Sequence, residues 1–220
     1  MNILRLFRII LSIPKTLYFN FRCFPIKLAI KLPVFVSSNV RLGSLKGNIT
    51  VKNNKRFCVK IGLSGSRGIS PNPKGYFHCA KNGGIVFDGN VSIGLANSIR
   101  VENGTLFFGD GFSSNSNCFF SCSEGISFGK NCLLGYNVNI RDADGHRIII
   151  NEKVSALKKK IVIEDHVWLC SYVDVLKGSY IRENSVVGYK ALVSSEFEKG
   201  NVIIAGIPAK IIKTDINWQK

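Results

Sequence analysis

From Ile163 onward an aliphatic side chain returns at every sixth position, through Leu169, Val175, Ile181, Val187 and Val193. Four residues after each of the first five stands a small or β-branched residue: Val167, Val173, Ser179, Ser185 and Ala191. The same beat runs earlier through Phe128, Leu134 and Ile140, with Gly129 and Gly135 directly after the first two. It is present less cleanly at Phe87, Ile93, Ile99 and Phe108. An α-helix turns every 3.6 residues and cannot keep a six-residue period on one face. Short strands joined by sharp bends can, because alternate side chains share one face of a strand. Gly, Asn or Asp directly after the aliphatic residue reads as the left-handed corner between strands. Three hexads then close a triangular coil of about 18 residues, and stacked coils bury one continuous aliphatic column. An ordinary β-sandwich would instead show turn signals every 8–12 residues or so and strands of varied length.

The rhythm breaks once, after Ile140, and resumes at Ile163. The pattern therefore predicts an all-β chain, a parallel β-helix of hexapeptide repeats. It has an N-terminal basic and apolar segment over 1–40 and a coiled domain over 41–213, with its clearest repeats at 85–212. One loop is extruded over about 141–160, and a short tail covers 214–220.

Composition adds bounds. Of 220 residues, 45% are apolar and 15 are Phe, which supplies a sizeable core and excludes a wholly disordered chain. No run approaches the roughly 18 apolar residues of a membrane-spanning helix. The seven Cys are irregularly spaced, odd in number and without a C-x-x-C pair. That argues against a disulfide framework and for a reducing compartment, the cytoplasm.

The net charge of +16 is unevenly placed: residues 1–87 hold 15 Lys/Arg and no acid, whereas residues 88–220 hold 15 basic and 14 acidic residues. An anionic neighbour is expected at the basic part. Residues 2–13 are apolar with Arg5 and Arg8 interrupting them, and from 14 to 31 aromatic and basic residues alternate. No secretory signal has that form. The segment 1–31 reads as one that meets an anionic membrane surface, peripheral to the inner face of the cytoplasmic membrane. Packing on the main domain or a neighbouring subunit is the equal alternative. No zinc-finger, RRM-like or helix-turn-helix pattern is present, so nucleic acid is not expected as a partner.

The interruption carries Arg141-Asp142-Ala143-Asp144-Gly145-His146 and ends in Lys158-Lys159-Lys160. A loop leaving a rigid coil is where reactive groups usually sit. His78 and His166 form no close pair with His146 or each other, so no metal site is expected.

With the hexad register in place, R-D-x-D-G-H resembles the D-x-D-x-H loop of the hexapeptide-repeat acyltransferases, in particular the polysaccharide and sialic-acid O-acetyltransferases. The resemblance covers residues 85–213 and more loosely 40–85. It implies a left-handed coil, which the spacing does not show, and homotrimers with active sites in the grooves between helices. It also makes His146 the catalytic base, since an imidazole near its working pH can take the proton of a sugar hydroxyl attacking a thioester. A carboxylate orienting that imidazole would be Asp142 or Asp144, with Asp144 preferred.

Val167-Trp168-Leu169-Cys170-Ser171 resembles the family's V-W-I-G-S/A, with Cys170 where Gly is usual. Trp168 is thereby expected beside the acetyl group and the Ser171 N–H as an oxyanion donor. Residues 187–195 resemble V-G-A-G-S-V-V-T-K, and Ala205-Gly206-Ile207-Pro208-Ala209-Lys210 resembles A-G-N-P-A-K. These imply that Tyr189, Ser194 and Ser195 lie along the coenzyme A arm, with Lys190, Lys210 and Lys213 as cations for its phosphates. Arg141, Lys158, Lys159 and Lys160 are candidates for meeting an anionic acceptor, against a simply solvated basic loop. The implied activity is acetyl transfer from acetyl-CoA to a sugar hydroxyl of a bacterial surface polysaccharide or its precursor. Acetyl transfer to an amine, and a non-catalytic scaffold or glycan-binding module, are the alternatives.

Overall fold

A computed structural model describes residues 3–64 and 74–219. Residues 1 and 2 of the basic segment, 65–73 of the looser repeats and the last residue of the tail lie outside the described residues.

The hexad positions build the core that their spacing requires. Ile163, Leu169, Val175, Ile181, Val187 and Val193 are each at most 1% exposed, and so are the five small or β-branched residues between them. The strands stack into three faces. Face one stacks Val34–Val36, Val59–Ser64, Val91–Gly94, Ser113–Ser114, Leu133–Leu134, Trp168–Leu169, Val186–Val187 and Ile203–Gly206 in parallel. Ala209–Lys213 then turns back antiparallel to close it. Face two runs from Val40–Leu45 through Phe119–Cys122, Asn139–Arg141 and Asp174–Leu176 to Leu192–Val193. Face three runs from Asn48–Val51 through Gly125–Phe128 and Ile161–Ile163 to Tyr180–Ile181. The long strands Gly75–Phe87 and Ser98–Phe108 bend around the edge between faces two and three and serve both. The stack begins at Val34, earlier than the expected boundary at 41.

The corners differ from the sequence reading. The left-handed residue stands third after the core aliphatic, not directly after it. Between faces one and two these residues are Ala96, Asn117, Asn137, Tyr172 and Lys190; between three and one they are Gly111, Asn131, His166 and Asn184, and at the last such corner Asn201 stands fourth after the buried Phe197. The glycine directly after the aliphatic has another task, the close approach of neighbouring coils. A Cβ on Gly135 would lie 2.6 Å from the Ser171 nitrogen, and one on Gly129 would lie 2.5 Å from that of Asp165.

Coil size differs as well. Ile163 pairs with Ile181, the 18-residue repeat expected of three hexads. Before the loop, Phe108 pairs with Phe128 and Phe87 with Phe108, repeats of 20 and 21. The additional residues all enter at the edge between faces two and three, the edge from which the loop emerges. Rings fill these wider coils: Phe87, Phe108 and Phe128 lie parallel with centroids 5.5 and 5.7 Å apart, and Phe112 and Phe120 pack against them. Ser114 takes a core position here. It is 4% exposed, and its Oγ accepts from Asn97 Nδ2 at 2.6 Å, which removes the cost of burying a hydroxyl.

The first strand of a stack exposes unpaired backbone groups that invite another chain. Here the helix Ile3–Cys23 covers them with polar side chains one turn apart. Thr16 Oγ1 accepts from Val36 N (3.1 Å) and donates to Val36 O (3.2 Å). Asn20 accepts from Val34 N (3.2 Å) and donates to Val34 O (2.7 Å), and Ser12 Oγ accepts from Ser38 N (2.9 Å).

Candidate functional site

The loop leaves after strand Asn139–Arg141 and returns at Ile161–Ile163. Its first residue, Asp142, is 0% exposed. Asp142 Oδ1 accepts from Ser123 N at 2.8 Å, while Oδ2 accepts from Glu124 N at 2.8 Å and Gly125 N at 2.7 Å. Three backbone donors of the coil below thus meet one buried carboxylate. Of the two carboxylates left open by the sequence, Asp142 anchors the loop root through these bonds, and Asp144, the preferred one, accepts no backbone N–H with its carboxylate among the described residues.

Asp144 holds the next turn. Its N–H donates to Leu157 O at 2.8 Å, and its carboxylate pairs with Lys177, whose Nζ also donates to Ala156 O at 2.6 Å. His146 follows, exposed and without a hydrogen bond among the described residues, beside Gly145, around which a Cβ would meet nothing within 4 Å. A short antiparallel hairpin of Ile149–Ile150 with Lys153–Val154 extends the loop, with Ile148, Ile149 and Val154 exposed.

The four bases around the loop divide. Lys158 pairs with Glu124 (2.8 Å) and donates to Ser123 O (3.3 Å), so it fastens the loop to the coil below. The hydrogen bond from Lys158 holds the Glu124 carboxyl below its ordinary range. Arg141 lies over the Phe119 ring at 5.1 Å, and the stems of Lys159 and Lys160 run beside Gly178 and Gly125. Lys159 and Lys160 have exposed side chains.

Of the residues expected along the donor, Trp168 is half-buried on face one. Trp218 of the tail lies 5.8 Å from it, stacks on His166 at 4.1 Å and 4°, and donates Nε1–H to His166 O at 2.9 Å. Ser171 stands at the edge between faces one and two. Its Oγ accepts from Tyr136 N at 3.0 Å, and its own N–H has no partner among the described residues. Cys170 in place of Gly is compatible with the backbone: its N–H donates to Val187 O at 2.9 Å, and the left-handed residue of this corner is Tyr172. Tyr172 and Tyr189 meet edge to face at 5.4 Å, and Lys190 Nζ lies over both rings at 6.0 and 5.5 Å.

Ser171, Tyr189 and Lys190 therefore share one edge, with Trp168 on the adjoining face. Ser194 and Ser195 lie exposed at the other end of face two, on the edge that carries the loop, and Lys210 and Lys213 on the closing strand of face one. The sequence reading missed Lys177, Glu124 and Trp218. Lys177 and Glu124 had no motif to mark them; Trp218 was one of only two Trp, which is a signal. Among the described residues no three His, Cys, Asp or Glu are grouped as metal ligands.

No protein-family model matches the chain. It is similar to the uncharacterized 24.8 kDa protein in the cps region of Klebsiella pneumoniae, at 30% identity over 202 residues, covering 90% of this chain and 87% of that protein. It is also similar to the putative lipopolysaccharide biosynthesis O-acetyl transferase WbbJ of Escherichia coli K12, at 29% identity over 145 residues, or 60% of this chain and 72% of that one. Among solved structures, the polySia-specific acetyltransferase NeuO matches with a TM-score of 0.61 over 85% of this chain and 82% of its own, at 21% identity. The shared fold is the left-handed parallel β-helix.

Proposed function

Because the chain belongs to the hexapeptide-repeat acyltransferases, related to the O-acetyltransferases of capsule and O-antigen synthesis, we propose that it transfers an acetyl group from acetyl-CoA to a sugar hydroxyl of a bacterial surface polysaccharide or its precursor. The observation that carries this reading is the exposed imidazole of His146, held out on a loop whose root is clamped by a buried carboxylate.

A sugar hydroxyl is a poor nucleophile at neutral pH. In the proposed reaction a His146 ring nitrogen takes the hydroxyl proton as the oxygen attacks the thioester carbonyl carbon. The Ser171 N–H donates to the oxyanion that forms, with Trp168 packed beside the acetyl group. Collapse breaks the carbon–sulfur bond, the imidazolium returns its proton to the departing thiolate, and an acetyl ester and coenzyme A leave. Asp144 remains the carboxylate nearest in sequence to His146 that is not consumed by backbone donors, and Lys177 holds it. Tyr189, Lys190, Ser194, Ser195, Lys210 and Lys213 are proposed along the donor, and Arg141, Lys159 and Lys160 toward the acceptor.

The assembly we propose is a homotrimer. The loop springs from the edge opposite face one, while Trp168 lies on face one and Ser171 at its border. A loop from one copy facing the donor residues of the next closes the site, and the exposed Ile148, Ile149 and Val154 have the apolar character of such a contact. The same reading has the enzyme in the cytoplasm, peripheral to the inner face of the membrane, supported by the acid-free first 87 residues.

The test is thiol release from acetyl-CoA by purified protein with matched hydroxy and amino sugars and with surface polysaccharide. His146→Ala, at an exposed position, is expected to keep its melting temperature and lose roughly 100-fold or more in kcat/KM. Transfer by that variant at the wild-type rate overturns the mechanism, and a preference for amines overturns the acceptor class.

A further inference from the structure

The N-terminal helix is built inside out. A helix on a globular protein normally turns its apolar stripe to the core and its polar face to water. Here Ser12, Thr16 and Asn20, all at most 3% exposed, face the coil and bond the backbone of its first strand. Phe19 is buried with them, packed on Phe24 and Phe77, but most of the apolar side chains point the other way: Phe7, Ile10, Ile13, Leu17, Tyr18 and Phe21 are 39–58% exposed. The outward apolar run continues past the helix at Ile26 and Ile30, 63% and 60% exposed. A patch of this kind marks a surface that meets something apolar.

The charge around it selects what that is. Arg22, Lys27, Lys31 and Arg56 are exposed, and no acid precedes Asp88 in the chain. A second copy brought against this face would set the same bases against each other. An anionic bilayer accepts both parts, side chains into the headgroup–acyl boundary and bases among the phosphates. A cleft of about 290 Å³ opens beside Ile13 and Leu17, lined also by Leu32, Phe35, Phe57 and the exposed Arg56, an apolar lining with one cation that suits the end of an acyl chain and an anionic headgroup. No helix of the described residues is long and apolar enough to cross a membrane.

We propose that this outward face is the seat of the protein on an anionic phospholipid bilayer, with the helix lying in the lipid interface and the coil axis standing away from it. The proposal rests on, and sharpens, the peripheral reading given above; acetyl transfer does not depend on it. The geometry then sets the height of the chemistry. Strand Asn139–Arg141 is four strand steps along face two from Val40–Leu45, so the root of the His146 loop stands about 19 Å above the first coil. The proposed site is thus held close to the headgroups but clear of them.

Flotation of the full chain tests this, using vesicles of phosphatidylcholine with phosphatidylglycerol at about 3:1 against phosphatidylcholine alone. The protein is expected to float with the anionic vesicles and at least roughly tenfold less with the neutral ones. The double variant Tyr18→Glu/Phe21→Glu, with both positions outward, is expected to lose roughly tenfold or more of that binding while its melting temperature and its thiol release with a soluble sugar stay unchanged. If that variant is unstable, Tyr18→Ser/Phe21→Ser serves in its place. Failure of the full chain to float with anionic vesicles, or undiminished flotation of a folded variant, overturns the proposal. So does a fall in sedimenting mass on making the variant, which would assign the face to a second copy. Flotation without thiol release would count against the acetyltransferase reading and leave the membrane seat standing.

Discussion

Gly125 gives its backbone N–H to Asp142 Oδ2 across a coil boundary, at 2.7 Å. With the bonds from Ser123 and Glu124, it fixes the point at which the chain leaves the coil to carry His146 outward. Buried and met by three donors, this carboxylate is a structural clamp whose loss should be felt at a distance.

Asp142→Asn replaces one accepting oxygen with an amide that faces backbone donors. Loss of charge-assisted bonds at a buried site is expected to cost about 2 kcal/mol in urea denaturation. Acetyl transfer should fall as well, because the loop loses its root, whereas KM for acetyl-CoA should change little.

Gly135→Ala would bring a Cβ to 2.6 Å from Ser171 N and 2.7 Å from Ser171 Oγ. Both atoms belong to the next coil, so the stack must part or the Ser171 N–H must turn. A destabilisation of about 1–3 kcal/mol is expected, with kcat reduced by roughly tenfold or more. Ser171→Ala keeps the N–H and should retain most of the rate; equal losses in the two variants would remove Ser171 N–H from the mechanism.

Trp218→Ala removes the stack on His166 and the contact with Trp168. The expected outcome is a KM for acetyl-CoA raised several-fold with kcat less affected, because the tail packs on Trp168, which is proposed beside the donor. Trp218→Phe should recover part of the effect, since it keeps a ring on His166 and loses only the Nε1–H bond to His166 O.

Glu164 supplies a pH dependence. Burial pushes its pKa up, but hydrogen bonds from Glu183, Tyr180 and Arg182 outweigh it and hold the carboxyl down to about 2. A carboxyl with a depressed folded-state pKa stabilises fully above its unfolded value near 4.3, and that contribution is lost as pH falls toward 2. Glu164→Gln is therefore expected to lower stability by about 1 kcal/mol at neutral pH and to flatten the acid limb of the stability curve below pH 4 or so, measured by denaturation at several pH values.

Much of the fold is legible because its rule is local. A side chain every sixth residue lands on the same inner column, so Ile163 to Val193 could be assigned to the core without knowing what they touch. Additional residues at one edge break the register between Ile99 and Phe108 and again between Phe120 and Phe128, so Phe120 closes a run of only three positions, and its middle member, Ser114, is polar and hides the six-residue spacing. The glycines were found but misread: strand spacing across coils, not backbone handedness, requires Gly129 and Gly135.

The site divides along the same line. The chain by itself determined that a histidine is carried on the single long interruption of a coil, and that a Trp and a Ser follow on the next turns. It also determined that the first 87 residues are basic throughout. Only the tertiary structure decided which carboxylate anchors the loop, because the donors that claim Asp142 come from residues 123–125, one coil away. Only it separated Ser194 and Ser195 from Ser171, since hexads adjacent in sequence lie on different sides of a triangle. Only it showed the helix facing its polar stripe inward, because the partners of Ser12, Thr16 and Asn20 are backbone groups left open where the stack ends. Periodicity fixes which way a side chain points; what it meets there depends on the chain one turn away.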